Sequence, residues 1–395
     1  MKRQLAILDY SLGAMRRRRA RTIAITSGLA FVVGLMASVV FLTGALRGEF
    51  EAGARELPDL TVQHLVAGRP ALIDSALAAR LHDIPAVRSV TPRVWGYFFM
   101  PALSGNLTIV GVDPARPSIA RAMRRAIRAG RPLARRSGET VLGETLAGFL
   151  GVRIGDSISL PIASVEQPRF LRIVGLFRHD TALRTADVLL VGEDDARALL
   201  GVPASSATDI AIALTNPDEA AVVAEEIAAR VPSARVLDKK LLRRTYALTF
   251  DERGGLVAAM LLPALAALLL LAWDRLTGIG EAERREIGIL KAIGWETADV
   301  LAARVWESAL VAGAGTVTGL LAAYVYVFAL RAPGLAGALF GWSAIYPALD
   351  LAPRIELGDL ASIAAAVVVP FVAVSIVPSW RAAMLDPDRA MRGLA

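Results

Sequence analysis

Glu281 to Trp295 reads EAERREIGILKAIGW, a short basic-acidic helix set between two long uncharged apolar runs. Ala282, Ile289 and Ile293 share one stripe, with Glu286 in the same i, i+3, i+4 register, while Arg284, Gly288 and Lys291 line another face. Glu281 and Arg285 stand four apart, the favourable order for a modest ion pair. A helix lying under lipid headgroups would account for the arginines. It would not account for an acidic residue inside the apolar stripe. Nor would it account for Gly288, which costs about 1 kcal/mol in a helix unless something approaches closely. A charged helix tethered at both ends by membrane spans can push on those spans when a partner grips it.

The surrounding chain supplies such spans. Its 395 residues are 55% hydrophobic and 21% charged, with mean hydropathy +0.50, net charge +7 and a pI near 10.1. That average is too apolar for an ordinary soluble protein. Thr22 to Leu46 contains no charge, and about 25 residues at 1.5 Å each cover ~37 Å, enough for a ~30 Å hydrocarbon core. A cleaved signal peptide is the rival reading, but its apolar region runs to only about 15 residues. Three more uncharged runs follow, Gly254–Trp273, Ser308–Leu330 and Leu360–Trp380; Pro263 and Pro370 lie inside two of them, which neighbouring helices can accommodate.

The expected organisation is therefore a membrane protein of four transmembrane α-helices, with an α+β extracytoplasmic domain inserted between spans one and two. In numbers, a 1–21 arm precedes spans at 22–46, 254–273, 305–330 and 359–380. The domain covers 47–253 with a β-rich insert near 115–205, the helix loop 274–304, a short outer loop 331–358 and the tail 381–395. Arg16, Arg17, Arg18, Arg19 and Arg21 crowd the first span, and Arg275, Arg284, Arg285, Lys291, Arg304, Arg381, Arg389 and Arg392 fall on the same side. The positive-inside rule puts both termini and the central loop in the cytoplasm. Beside a hydrophobic span the arginine cluster reads as a membrane anchor and not as a nucleic-acid site.

In the outer domain, Leu60–Leu65 and Val87–Met100 read as strands flanking a helix near Asp74–His82. Asp209–Leu214, Asp218–Arg230 and Ala234–Leu237 repeat the strand-helix-strand pattern, so one split α+β subdomain with inserted material is expected. The insert should hold a helix at Glu139–Leu150 and strands near Ser157–Leu160, Arg169–Phe177 and Val188–Val191.

Catalytic patterns are missing. The sequence has no G-x-x-x-x-G-K-[ST] phosphate loop, no G-x-S-x-G elbow and no H-E-x-x-H. His64, His82 and His179 show no metal-ligand spacing, and there is no cysteine to hold zinc or form a disulfide. The uncharged runs offer no titratable relay of the kind secondary transporters use, so the energy should come from elsewhere. Gly315-x-x-x-Gly319 in the third run would let another helix approach, as ordinary packing.

Arg285-Glu286-Ile287-Gly288-Ile289-Leu290-Lys291-Ala292-Ile293-Gly294 resembles the cytoplasmic signature of FtsX-like/MacB-type ABC transporter permeases. Pro378-Ser379-Trp380-Arg381-Ala382-Ala383, then Leu385-Asp386-Pro387 and Ala390-Met391-Arg392, is similar to that family's ending. Val141-Leu142-Gly143-Glu144, Leu146-Ala147, Leu150-Gly151 and Gly155-Asp156, with Gly111-Val112-Asp113-Pro114, resemble its periplasmic core. The resemblance covers essentially the whole chain. It implies a non-catalytic permease subunit in a bacterial inner membrane, paired with a second permease copy or paralogue and seated on separate ABC ATP-binding cassette proteins, which bind the ATP. No cofactor of its own is expected. Membrane lipids and a periplasmic adaptor or membrane-fusion protein are further partners. The substrate would be a lipoprotein, lipid or peptide of the envelope, moved by mechanotransmission in release or efflux. The residues expected to couple to the ATPase are Arg284, Arg285, Glu286, Gly288, Lys291, Gly294 and Trp295. Trp295 departs from the family pattern, where a small residue is commoner. The alternative is a transmembrane signalling subunit regulating a periplasmic enzyme such as a cell-wall hydrolase.

Overall fold

Two helices open the chain: α1, Lys2–Arg17, and α2, Arg19–Ala54. At 1.5 Å per residue, the 36 residues of α2 extend about 54 Å, well beyond a ~30 Å hydrocarbon core. The computed structural model describes residues 2–54, 57–101, 105–135, 137–162, 165–178, 185–244, 281–335 and 351–383, with scattered positions between 255 and 270. These divide into two units, one drawn from Met1–Ala45, Asp251–Ala336 and Ala352–Ala395, the other chiefly from Leu46–Phe250.

The second unit is α+β. Its strands are β1 (Leu60–Val66), β2 (Arg69–Ala71), β3 (Ile73–Asp74), β4 (Val87–Met100), β5 (Gly105–Val112), β6 (Ile127–Gly130) and β7 (Glu139–Leu142). They continue as β8 (Ser157–Ile162), β9 (Val165–Phe177), β10 (Val188–Gly192), β11 (Ser206–Ala207), β12 (Asp209–Leu214) and β13 (Ala234–Asp238). Helices α3 (Leu77–His82), α4 (Pro117–Ala126), α5 (Glu144–Leu150), α6 (Glu193–Leu200) and α7 (Ala220–Arg230) connect them. The main sheet runs β13-β1-β12-β4-β5-β10-β7-β9-β6, with β2 on β1 and β8 on β9. Strands from the two ends of the unit thus interleave on one side, and the intervening segment fills the other. Each side buries its own core: Leu60, Val62, Ile210, Ile212 and Ile227 on the first, Leu107, Ile109, Leu142, Leu171 and Ile173 on the second. At ~25 cal/mol per Å² of apolar area removed from water, such side chains dominate the unit's stability.

One expected element divides in two. Glu139–Leu150 is not a single helix: Glu139–Leu142 is a strand and the helix starts at Glu144. Thr140, Val141 and Leu142 are fully buried between β10 and β9, where branched side chains fit a pleated surface. Gly143 is extended, and a Cβ there would lie 2.0 Å from the Thr185 carbonyl oxygen, so the corner admits only glycine. β2, β3, β5, β6, β11, α4 and α6 are additional to the elements expected from the sequence.

Back in the first unit come α8 (Glu281–Ala292), α9 (Thr297–Tyr324) and α10 (Leu357–Ala383). Among the described residues three helices are long and apolar enough to cross a membrane: Arg19–Glu49, Thr297–Ala329 and Leu357–Val377. The expected span at 254–273 lies mostly outside the described residues, as do most of the 331–358 loop, the tail beyond 383 and His179. The pair Gly315 and Gly319 packs α9 onto α2. A Cβ on Gly315 would lie 2.7 Å from Leu29 Cβ, and one on Gly319 would lie 2.6 Å from the Ala30 carbonyl oxygen and 2.7 Å from Val33 Cβ. Contacts advance along both helices in the same sense, so α2 and α9 run parallel.

Candidate functional site

Helix α8 is held to its unit by one face. Ile287, 4% exposed, packs with Val300 of α9 and with Trp295. Gly288 is buried, whereas Arg285, Ile289, Ala292 and Ile293 are exposed, Ile289 at 52% and Ile293 at 69%. The apolar stripe expected from the helical spacing is thus turned to solvent, and Gly288 lies on the buried side.

Glu286 lies at the edge of the inner face and meets three donors from the N-terminal segment. The Tyr10 hydroxyl donates to Oε1 at 2.7 Å, Arg17 donates to Oε1 at 2.8 Å, and Arg18 donates to Oε2 at 2.6 Å. Burial pushes the Glu286 carboxyl up, but the Tyr10 bond and the two guanidiniums outweigh it, so its pKa lies below the ordinary carboxylate value. Tyr10 is pushed up to about 12, first by burial and then by its bond to, and repulsion from, Glu286. The Tyr10 ring also meets the Trp295 ring at 5.1 Å between centroids, and the Arg17 guanidinium sits 5.6 Å from the Tyr10 centroid. The donors that an acidic residue in an apolar stripe needs come here from within the chain. The clue was available: an arginine run and a tyrosine precede the first span, and an acidic residue in an apolar stripe needs such groups.

Helix α1 is fastened to α9 as well. Arg3 donates to Asp299 at 2.6 Å, the Ser11 hydroxyl lies 3.0 Å from the Ala303 carbonyl oxygen, and Trp306 Nε1 donates to Gln4 at 3.3 Å. Between α8 and α9 the chain turns sharply at Gly294, whose φ of 100° is left-handed backbone. Trp295 N–H then bonds the Leu290 carbonyl at 3.0 Å, the closing bond of a glycine helix stop. Glu296 and Asp299 form a reciprocal cap that starts α9. Gly294 therefore shapes the turn, and Trp295, half-buried, packs against Tyr10 and Ile287. Lys291 is half-buried; the side chain of Arg284 lies outside the described residues.

The α+β unit shows ion pairs of a structural kind. Asp209, 1% exposed, receives Arg93 at 2.6 and 2.7 Å and Trp95 Nε1 at 2.9 Å. Asp195, equally buried, receives Gly138 N–H at 2.7 Å and the Arg169 guanidinium. Among the described residues no three metal-ligating side chains converge.

Two family models match: the MacB-like periplasmic core domain over residues 22–230 and the FtsX-like permease C-terminal region over 256–387. No curated protein matches the chain. Among solved structures, the extracellular domain of the noncanonic ABC-type transporter YknZ from Gram-positive bacteria is 10% identical, covering 45% of this chain and 99% of that one, with a TM-score of 0.32. The periplasmic region of MacB from Actinobacillus actinomycetemcomitans is 14% identical, covering 47% and 91%, with a TM-score of 0.33. With the two models together spanning the α+β unit and the later helices, this chain belongs to the FtsX-like/MacB-type ABC permease family, whose members are transmembrane subunits associated with ABC transporters.

Proposed function

We propose that this chain is the permease subunit of an ABC system, driven through α8 by a separate cassette ATPase to move its outer domain for export or release of an envelope substrate. The observation that carries this reading is the two-sided character of α8. Its inner face is fixed by Glu286, Ile287 and Gly288, while its outer face presents Ile289 and Ile293 to solvent beside Arg285. Isoleucines exposed on a charged helix suit the apolar centre of a docking surface with an arginine at its rim. The parallel run of α2 and α9 supports a further crossing between them, because a chain that starts two spans from the same side must return in between. The uncharged run 254–273 is our candidate for it, with both termini cytoplasmic in a bacterial inner membrane. A dimer of permeases and a periplasmic adaptor complete the proposed assembly. In this reading Arg285 contacts the cassette directly, while Glu286, Gly288, Gly294 and Trp295 hold the helix in place; Arg284 and Lys291 flank the contact.

The test is to purify the chain alone and with its cassette in lipid nanodiscs. Alone it should neither bind nor hydrolyse ATP; together they should hydrolyse it, and Ile289→Glu with Ile293→Glu should abolish assembly. Nucleotide affinity of the isolated chain, or normal assembly of the double variant, would overturn the proposal.

A further inference from the structure

The 25 residues from Pro114 to Gly138 carry eight arginines and no acidic residue, more positive charge than the +7 of the whole chain. Helix α4 sorts them by face. Its inner side, with Met123 buried and Ile119 and Ala126 half-buried, packs over Val141, Val174 and Leu190 of the sheet. Its outer side exposes Arg121, Arg124 and Arg125, spaced i, i+3 and i+4, so the three guanidiniums share one face. Carboxylates do not balance them. Arg116 pairs with Asp113 at 3.6 Å and Arg128, just beyond the helix, with Glu144 at 3.1 Å. Arg121 donates to the Pro117 carbonyl at 3.3 Å and, like Arg124 and Arg125, has no carboxylate partner among the described residues.

An exposed ion pair contributes little in water, so a single small anion on this open face would be held weakly. A chain of linked anions adds such contacts together and releases counterions at each. Apart from its three arginines, α4 exposes only Pro117, Ser118 and Ala122. A folded protein partner would require an apolar centre, a membrane surface apolar groups to insert, and a nucleic-acid strand aromatic rings for its bases. The outer side of α4 offers charge alone. Guanidinium forks match the paired oxygens of a phosphate group. We propose that the outer face of α4 docks a flexible phosphodiester polymer without bases, its successive phosphates on Arg121, Arg124 and Arg125. This docking does not depend on the ATPase coupling proposed above.

Fluorescence anisotropy of labelled poly(glycerol phosphate), with the full chain in phosphatidylcholine nanodiscs, tests the surface. Three phosphate contacts should make the affinity fall about twentyfold between about 50 and 200 mM salt. Arg124→Gln combined with Arg125→Gln should weaken binding about tenfold and reduce that salt dependence to about threefold. Arg124→Lys with Arg125→Lys should keep most of the affinity. Arg16→Gln with Arg19→Gln, the same loss of charge from the other arginine cluster, should leave it unchanged. A thermal melt checks that each variant is folded. No binding, salt-insensitive binding, or wild-type affinity in the Arg124→Gln, Arg125→Gln variant would overturn the proposal. So would equal or better competition, at matched charge, by polyglutamate, which marks an acidic protein segment as the occupant, or by phosphatidylglycerol vesicles, which mark a membrane surface.

Discussion

Replacing Glu286 with glutamine removes one charge from the point where α8 meets the N-terminal segment. Arg17 and Arg18 lose their carboxylate partner, and Tyr10 exchanges an ionic acceptor for a neutral one. Hydrogen bonds to charged groups contribute about 1.5–3 kcal/mol each when shielded. The Glu286 side chain is 30% exposed and Arg17 57%, so water returns much of that, and about 2 kcal/mol for the cluster is a fair expectation. Two kcal/mol is roughly a thirtyfold change in an opening equilibrium. Amide hydrogen exchange across residues 2–17 should therefore quicken by about that factor, while Arg285→Gln, one residue away on the exposed face, should not change it. Ultraviolet titration adds a second readout, with Tyr10→Phe subtracted to isolate one phenol. In Glu286→Gln the Tyr10 pKa should fall from about 12 but stay above its ordinary 10, because burial persists. Unaltered exchange together with an unaltered Tyr10 pKa would refute the role assigned to Glu286.

The pH dependence follows in sign from the same cluster: the lowered carboxyl stabilises above the ordinary carboxylate range and ceases to do so as pH falls through its folded-state value. Tyr10, raised, stabilises below pH 10 and loses that contribution as pH climbs through about 12, both visible as changes in α1 exchange. Gly319→Ala should cost about 1–3 kcal/mol by forcing a Cβ against Ala30 and Val33, whereas Gly34→Ala, whose nearest neighbour would be 3.5 Å away, should be nearly neutral in a detergent thermal melt. Gly294→Ala should cost about 1 kcal/mol through its left-handed backbone, read by the same melt, although there is space for the methyl group. Asp209→Ala should destabilise the α+β unit by about 3 kcal/mol, since Arg93 and Trp95 lose a fully buried acceptor; a cost under ~1 kcal/mol would contradict that pairing.

Much of the fold was legible because its signals are local. Long uncharged runs announce α2, α9 and α10, and alternating apolar residues between turn signals announce β1, β4, β9 and β12. β5 went unread because its alternation, Leu107 and Ile109 against Asn106 and Thr108, is short and stops at Val110-Gly111, and part of its burial comes from α6, distant in sequence. The helix at Glu139–Leu150 failed at Gly143, where only the neighbouring Thr185 backbone forbids a continuous helix. In α8 the periodicity was legible, but what holds its inner face was not. A hydrophobic stripe normally points inward, but here the inner face is set by an ionic cluster whose basic half lies some 270 positions earlier. Spacing within one helix carries no information about such a partner.

The most direct measurement is photocrosslinking from position 293. A photoreactive amino acid replaces Ile293 in the membrane-embedded chain, and the adduct is identified by mass in cells expressing its ATPase. The expected adduct is the cassette protein, formed from 293 and from 289 but not from the buried position 287, with its yield changing between ATP-bound and nucleotide-free states. Crosslinks from 293 to lipid alone, unchanged by nucleotide, would contradict the coupling role of α8.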